Sequence, residues 1–231
     1  MKKKLLSIAC VLASAITFAQ LPTDGLVAHY PFNGNANDAS TNSNHGTVNG
    51  ATLTTDRFGN VNNSYLFEND SSWIDVPNID MSSGDKLTIS IWVNPTDITS
   101  MKNLNIMRQE LIDLDFLIAF QGFGKILSFG LNSSGVYSEL DIPIISTNYT
   151  NDWHNIVAVY DGESRFVYND GILIGSDLKT GNVSYTSDAS FTIGAAFPGV
   201  GPGERFIGMI DDVKIYNRAL DTSEVSSLYN E

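Results

Sequence analysis

Between Gly25 and Asn217 the apolar residues arrive in short runs, each closed by Gly, Asn, Asp or Pro, and no run repeats at helical spacing. GLVAHYPF (25–32), SYLF (64–67), WIDV (73–76), DFLIAF (115–120), KILSFGL (125–131) and SFTIGA (190–195) are rich in β-branched and aromatic residues, the composition of half-buried strands. KLTISIWVNP (86–95) alternates, with Leu87, Ile89, Ile91 and Val93 on one face and Thr88, Ser90 and Trp92 on the other. WHNIVAVYDG (153–162) is apolar in both phases, so it belongs inside a sheet that is covered on each side. RFVYNDGILIGS (165–176) is a hairpin, because Asn169, Asp170 and Gly171 tolerate positive φ. About a dozen strands with no helix between them predict an all-β, two-sheet antiparallel sandwich. One helix is expected, from Asp221 to about Tyr229, with Asp221 and Glu224 spaced as a capping box.

Residues 1–19 predict a cleaved secretory signal peptide: three lysines, an apolar run from Leu5 to Phe18, and small residues before Gln20. The expected mature chain, 20–231, is one exported domain, secreted or associated with the cell surface, with no transmembrane segment. Cys10 is the one cysteine and leaves with the leader, so no disulfide is available. A domain of this size manages without, since it buries roughly 70% of its unfolded surface. The whole chain carries a net charge of −13, and loss of Lys2, Lys3 and Lys4 makes the mature form more acidic still. Such a surface repels nucleic acid and anionic membranes and suits neutral glycans or hard cations.

Asp211 and Asp212, in RFIGMIDDVKIY (205–216), are the most informative acids. Without a bulge, Asp211 shares a face with Ile207, Met209, Val213 and Ile215. A bulge would instead bring Phe206 and Ile210 to the face of Val213 and Ile215 and re-aim either acid. A carboxylate in apolar company needs a cation, Arg218 or Lys214 as partner, or backbone donors. The stretch YPFNGNANDASTNSNHGTVNG (30–50) reads as a loop, with six Asn in 21 residues.

Together with DRFGNVNNSYLFEND (56–70), LTISIWVNP, WHNIVAVYDG and GMIDDVKIYNRAL, this stretch resembles the laminin-G-like jelly-roll domains of bacterial secreted proteins, in the concanavalin A-like lectin and glucanase group. The resemblance implies a jelly roll that is not an enzyme, acts in carbohydrate binding or adhesion, and holds a structural calcium ion. It places the first and last strands side by side, so Asp38, Asn33 and the Gly34 carbonyl would meet Asp211 or Asp212 in an oxygen cage of the kind calcium takes. The expected partner is a polysaccharide or glycoconjugate, or alternatively a surface protein.

A glycan site needs exposed aromatics near turns, and Trp73, Phe197 and Tyr149 are the candidates, with Phe123 behind them. Trp92 and Trp153 read as core. A glycoside hydrolase is the weakest reading. Glu139 and Asp141 alternate correctly but lack a third acid, and Glu110, Asp113 and Asp115 fall on opposite faces, whereas a retaining enzyme needs two carboxyls about 5–5.5 Å apart. His29, His45 and His154 are isolated, and no cluster has zinc spacing.

Overall fold

In a computed structural model the alternating runs become fifteen strands among the described residues. It describes residues 21–231 apart from 69–71, 78, 80–84, 101, 111–113, 185–189 and 196–203, and leaves the side chains of 110 and 114 undescribed. The leader expected over residues 1–19 lies outside the described residues. In chain order the strands are β1 (Leu26–Tyr30), β2 (Thr47–Asn49), β3 (Thr52–Thr54), β4 (Ser64–Phe67), β5 (Trp73–Val76), β6 (Leu87–Pro95), β7 (Asn103–Glu110) and β8 (Leu114–Gln121). They continue as β9 (Ile126–Ser133), β10 (Val136–Pro143), β11 (His154–Tyr160), β12 (Ser164–Asn169), β13 (Ile172–Leu178), β14 (Phe191–Ile193) and β15 (Gly208–Tyr216), before the helix α1 (Thr222–Tyr229).

Two antiparallel sheets result. One is eight-stranded, ordered β13-β12-β11-β6-β15-β4-β3, with β1 also on β15; the other is seven-stranded, ordered β10-β9-β8-β7-β14-β5-β2. Along β15 the early residues pair with β4 and the later ones with β1, while β6 runs down its other side. The first and last strands are therefore neighbours, as the resemblance implies.

The inward phases form the main core. Leu87, Ile89, Ile91 and Val93 of β6 and Ile156, Ala158 and Tyr160 of β11 meet Phe116, Ile118, Phe120 and Phe129 of the facing sheet. The outward phase of β11, Val157 and Val159, is covered by a second cluster of Tyr168, Tyr216, Leu220, Val225 and Leu228 under α1. That is why this strand is apolar on both faces. Asp221 caps α1 through the backbone N–H groups of Ser223 and Glu224, and Glu224 returns a bond to the Asp221 N–H. Val225 and Leu228 are fully buried, and each contributes about 1.5–3 kcal/mol. The hairpin turn holds Asp170 at φ 52° and Gly171 at φ 74°, the conformations that select these residue types.

Arg165 of β12 crosses between the sheets. Its Nε and Nη2 donate to Asp177 at 2.9 and 2.5 Å, and its Nη1 donates to the carbonyls of Phe129 (3.0 Å) and Ser138 (2.6 Å) on the other sheet. Among the described residues no helix is long and apolar enough to cross a membrane.

Candidate functional site

The Asn-rich ribbon folds around Asp38. Its Oδ1 accepts the backbone N–H groups of His29 (2.9 Å) and Ser40 (2.8 Å), and its Oδ2 accepts the Ser40 hydroxyl (2.7 Å) and the Asn44 N–H (2.9 Å). These donors hold the Asp38 carboxyl below its usual range even though burial alone would raise it. The side chains of Ser40, Asn42 and Asn44 converge on the Val27 carbonyl, and the Asp38 N–H donates to His45 Nδ1. The ribbon is thus a strap pinned to β1, and its amides serve the fold.

At the other end of the chain, β15 carries a bulge between Asp211 and Lys214, with Asp212 at φ 47°. Of the two registers open in the sequence, the bulged one forms: Ile210, Val213 and Ile215 enter the core, while Asp211 pairs with Trp92 and Lys214 with Ser90. Both acids therefore meet cations on the outward side. Arg57 Nη1 binds Asp211 Oδ2 at 2.8 Å, and Nη2 reaches Asp212 Oδ2 at 3.4 Å and Glu231 Oε1 at 3.2 Å. Lys214 Nζ binds Asp212 at 2.5 Å and Glu231 at 2.7 Å, and His29 Nε2 lies 2.8 Å from Asp212 Oδ1. The Arg57 guanidinium is held between two rings, 4.5 Å from the centroids of Phe58 and of Trp92, and Trp92 stacks on Tyr229. Arg218, the other partner expected for these acids, is engaged with Glu224 instead.

The Arg57 and Lys214 ion pairs, with His29 and Phe58, line a pocket of about 340 Å³ together with Pro31, Asn33, Asp56, Asn60 and Asn63. Of the five residues expected to hold calcium, Asn33, Asp211 and Asp212 reach it, whereas Asp38 and Gly34 do not line it. The arrangement does not fit the expected cage. Both oxygens of Asp38 are taken by two donors each, and Arg57 and Lys214 already neutralise the aspartates.

Burial pushes the Asp211 carboxyl up to about 7, against the attraction of Arg57 and with the Asp212 charge adding to the rise. Burial also raises Glu231, to about 8, with the hydrogen bond and charge of Asp212 acting the same way and Lys214 opposing. Asp212 is held far below the usual range, because its bonds with His29, Glu231 and Lys214 outweigh its burial. Native Asp211 and Glu231 bind protons that the unfolded chain has already released, so stability rises as pH falls from about 8 to about 5. Asp38 and Asp212 act oppositely, and their contribution is lost below about pH 4. Urea unfolding at the two ends of the upper window is expected to show greater stability at the acid end, by up to about 1.4 kcal/mol per pH unit for each group. Asp211→Asn should flatten the slope, and a slope unchanged by that substitution would refute the assignment.

The outward face of the seven-stranded sheet is the second candidate surface. Trp73 and Asp75 share it on β5, and Thr47, Asp75, Thr192 and Arg108 form one row across neighbouring strands. Trp73 Nε1 and Asn49 Nδ2 both donate to Asp75 Oδ2, at 3.1 and 3.0 Å, which fixes the half-buried indole. Asp75 Oδ1 is buried without a partner among the described residues, as are Asp115 Oδ2 and Asn132 Oδ1 farther along the same face. Gly130 leaves room for Tyr137 to lie across the sheet, since a Cβ there would come within 2.0 Å of the phenol oxygen.

Glu139 accepts from Gln121 (2.9 Å) and Tyr137 (2.7 Å), and Asp141 accepts from Ser128 (2.6 Å), so both acids are tied into the sheet. Tyr149 does not belong to a ligand platform. It is buried, 5.4 Å from Phe120 and 5.0 Å from His154 between ring centroids, and seals the end of the sandwich. Phe197, like Asp113 and the side chain of Glu110, lies outside the described residues. Phe123 is exposed at φ 60°, and Trp153 is half-buried rather than core. Arg57, the hub of the pocket, went unremarked in the sequence; its one local signal is its place beside Asp56, whose side chain caps the turn through Phe58 and Asn60.

Comparison with solved structures returns the same architecture. Domain 4 of AbnA, a GH43 extracellular arabinanase from Geobacillus stearothermophilus, in complex with arabinotriose, superposes with a TM-score of 0.67 at 24% identity, over 88% of this chain and 98% of that one. The binding domain of Paraclostridial Mosquitocidal Protein 1 gives 0.71 at 18% identity, over 90% of this chain and 52% of that one. The binding domain of botulinum neurotoxin DC in complex with rat synaptotagmin II gives 0.69 at 13% identity, over 90% and 51%. The chain thus spans about half of each toxin domain, and at these identities the likeness is one of fold. Among curated proteins none matches the sequence. A family model of laminin G type matches residues 68–226, and with both jelly-roll sheets in place the chain belongs to that family of the Concanavalin A-like lectin/glucanases superfamily.

Proposed function

We propose that the chain is an exported, non-catalytic binding module for a neutral polysaccharide, held across the outward face of the seven-stranded sheet from Trp73 and Asp75 toward Asp115 and Asn132. The observation that carries this reading is the half-buried Trp73 indole, fixed on that face by the bond from its Nε1 to Asp75. An indole held beside polar side chains suits the apolar face and hydroxyls of a sugar ring, and a net charge of −13 disfavours an anionic polymer. β5 and β8 are three strand spacings apart, about 14 Å, which suits several linked rings better than one. Support also comes from the arabinanase domain, whose structure contains arabinotriose.

The test is retention of residues 20–231 on insoluble polysaccharides, arabinan among them, in calcium and in EDTA. Trp73→Ala is expected to weaken retention about tenfold, the equivalent of roughly 1.4 kcal/mol. Calcium has no part in this reading, so retention should be equal in the two buffers; loss in EDTA would restore the metal expected from the resemblance. Turnover of a glucan abolished by Glu139→Gln would make the chain a hydrolase.

A protein partner is the second reading, favoured by apolar residues on two of the edge strands. Ile172 and Leu178 of β13 are 68% and 85% exposed, and Val136 of β10 is 64% exposed. Absence of retention on every polymer, with the fold intact, selects it.

A further inference from the structure

The turn between β8 and β9 presents a side chain that the fold does not call for. Gly122, Phe123 and Gly124 all lie at positive φ, 60°, 60° and 71°, a conformation that suits glycine or asparagine and not phenylalanine. Phe123 is also 54% exposed, so little burial offsets that strain. The turn is nevertheless firmly seated. The Phe123 N–H donates to the Lys102 carbonyl at 3.4 Å, and Gly124 lies so close to Ile98 that a Cβ would come within 2.6 Å of its carbonyl oxygen. Pairing of β9 with β10 runs on past Ile126 and Pro143 through the bond from the Ile144 N–H to the Lys125 carbonyl (2.9 Å), which brings Ile145 beside the turn. Ile145 is 66% exposed. Next to these two apolar side chains stand Lys102 and Lys125, both exposed and neither paired with a carboxylate among the described residues. Arg57, Arg108, Arg165, Lys214 and Arg218, by contrast, are all held in ion pairs. The two acids of neighbouring loops are turned elsewhere: Asp97 accepts the Thr99 N–H and hydroxyl at 2.7 and 2.8 Å, and Asp152 the Trp153 N–H at 2.9 Å.

We infer that this end of the sandwich is a docking tip for a phospholipid surface, with Phe123 and Ile145 entering the boundary between headgroups and acyl chains and Lys102 and Lys125 meeting the phosphates. Strain kept for an exposed aromatic is the mark of a residue selected for something outside the fold. An apolar pair flanked by unpaired lysines is what a bilayer boundary takes, since the lysine stems can lie along the apolar layer while their ammonium groups stay at the phosphates. The same lysines oppose a contact between the tips of two copies, where like charges would meet. Four side chains also offer far less than the about 800 Å² per partner of a stable protein interface. The net charge of −13 holds the body of the domain off an anionic membrane, but beyond a Debye length of about 8 Å that repulsion is screened. Contact is therefore decided at the tip, and the acidic body imposes an end-on approach. Because the turn stands at the strand ends, that approach leaves the outward faces of both sheets clear of the membrane. The attachment is weak and reversible, of the kind that strengthens a second contact made by the same module.

The test is flotation of residues 20–231, which contain every described element, with vesicles of phosphatidylcholine alone and of an equal mixture with phosphatidylglycerol, in low and in physiological salt. Binding is expected to the mixed vesicles, weakened by salt and about tenfold weaker on phosphatidylcholine alone. Phe123→Asn should lower vesicle affinity about tenfold while the melting temperature stays equal or rises, because asparagine accepts this φ. Lys102→Gln combined with Lys125→Gln should remove the preference for phosphatidylglycerol. Phe123→Trp should add blue-shifted emission, relative to the parent, that brominated acyl chains quench. Val61→Ala, at a 74% exposed position on another loop, and Trp73→Ala should float like the parent. The inference is overturned if the parent floats with neither composition, which would leave an acidic protein as the occupant. It is overturned equally if Phe123→Asn and the double lysine variant float like the parent, or if Phe123→Asn loses stability together with binding.

Discussion

Replacing Arg57 with alanine is expected to destabilise the domain by about 3–5 kcal/mol, the usual cost of removing one partner from a buried ion pair. At this chain length that corresponds to a fall in unfolding midpoint of about 10 °C. The loss has three sources. Asp211 Oδ2 loses its one strong donor, and Asp211, Asp212 and Glu231 are left to share Lys214 and His29. The slot between Phe58 and Trp92, each 4.5 Å from the guanidinium, becomes a void. Arg57→Lys should recover little, because an ammonium can neither stack between two rings nor reach three carboxylates with a planar fork. Because Arg57 is what holds the Asp211 carboxyl down against burial, that group stays protonated to higher pH in Arg57→Ala, and adding Asp211→Asn should change the melt little. Thermal melts of the three variants with the parent decide it, and a loss below about 1 kcal/mol would mean that the cluster behaves as an exposed one.

Arg165→Ala is the second large effect, again about 3–5 kcal/mol, but by a different route. Its partner Asp177 keeps 35% of its side chain exposed, so water can take over that carboxylate. What cannot be replaced is the pair of bonds from Nη1 to the Phe129 and Ser138 carbonyls, on strands of the opposite sheet. Each carbonyl left buried and unsatisfied costs about 1–3 kcal/mol, and the emptied channel adds a cavity. Hydrogen exchange should quicken first at amides of β9 and β10, while α1 and its cluster keep their protection. Uniform loss of protection would show that Arg165 supports the whole domain rather than the seam between its sheets.

The parts of the fold legible in the sequence are those decided within a few residues. The alternation of Leu87 to Val93 gave β6 and its inward face; Asp221 with Glu224 gave the helix start; and Asn169 to Gly171 gave the hairpin. The two-sided apolarity of Val157 to Tyr160 even anticipated a cover on the outer face, which α1 supplies. The register at Asp211 was not decidable locally, because both registers bury apolar residues and the choice rests on Arg57, far away in the chain. Asp38 shows the same limit. Its surroundings reveal a loop, but that its own neighbours' N–H groups would fill its carboxylate follows from how the strap closes on β1. The strand pattern supplied the two-sheet sandwich, and the resemblance supplied the jelly roll and the adjacency of the first and last strands. The ligand surface depended on knowing which outward phases share a face, and only Trp73 was identified from its position near a turn.

The place of β15 bears on how the domain comes to be folded. This strand is the last of the fifteen in chain order, yet it lies inside the eight-stranded sheet and, among the described residues, supplies the only pairing for β1. Until residues 208–216 are available, β1, β4 and β6 have no neighbour on their shared side, and the two sheets cannot close over a common core. Folding that waits for such long-range pairing is slow and leaves strand edges open meanwhile. The nascent chain should therefore stay extended and protease-sensitive until residues 208–216 have been made, and then fold in one late step.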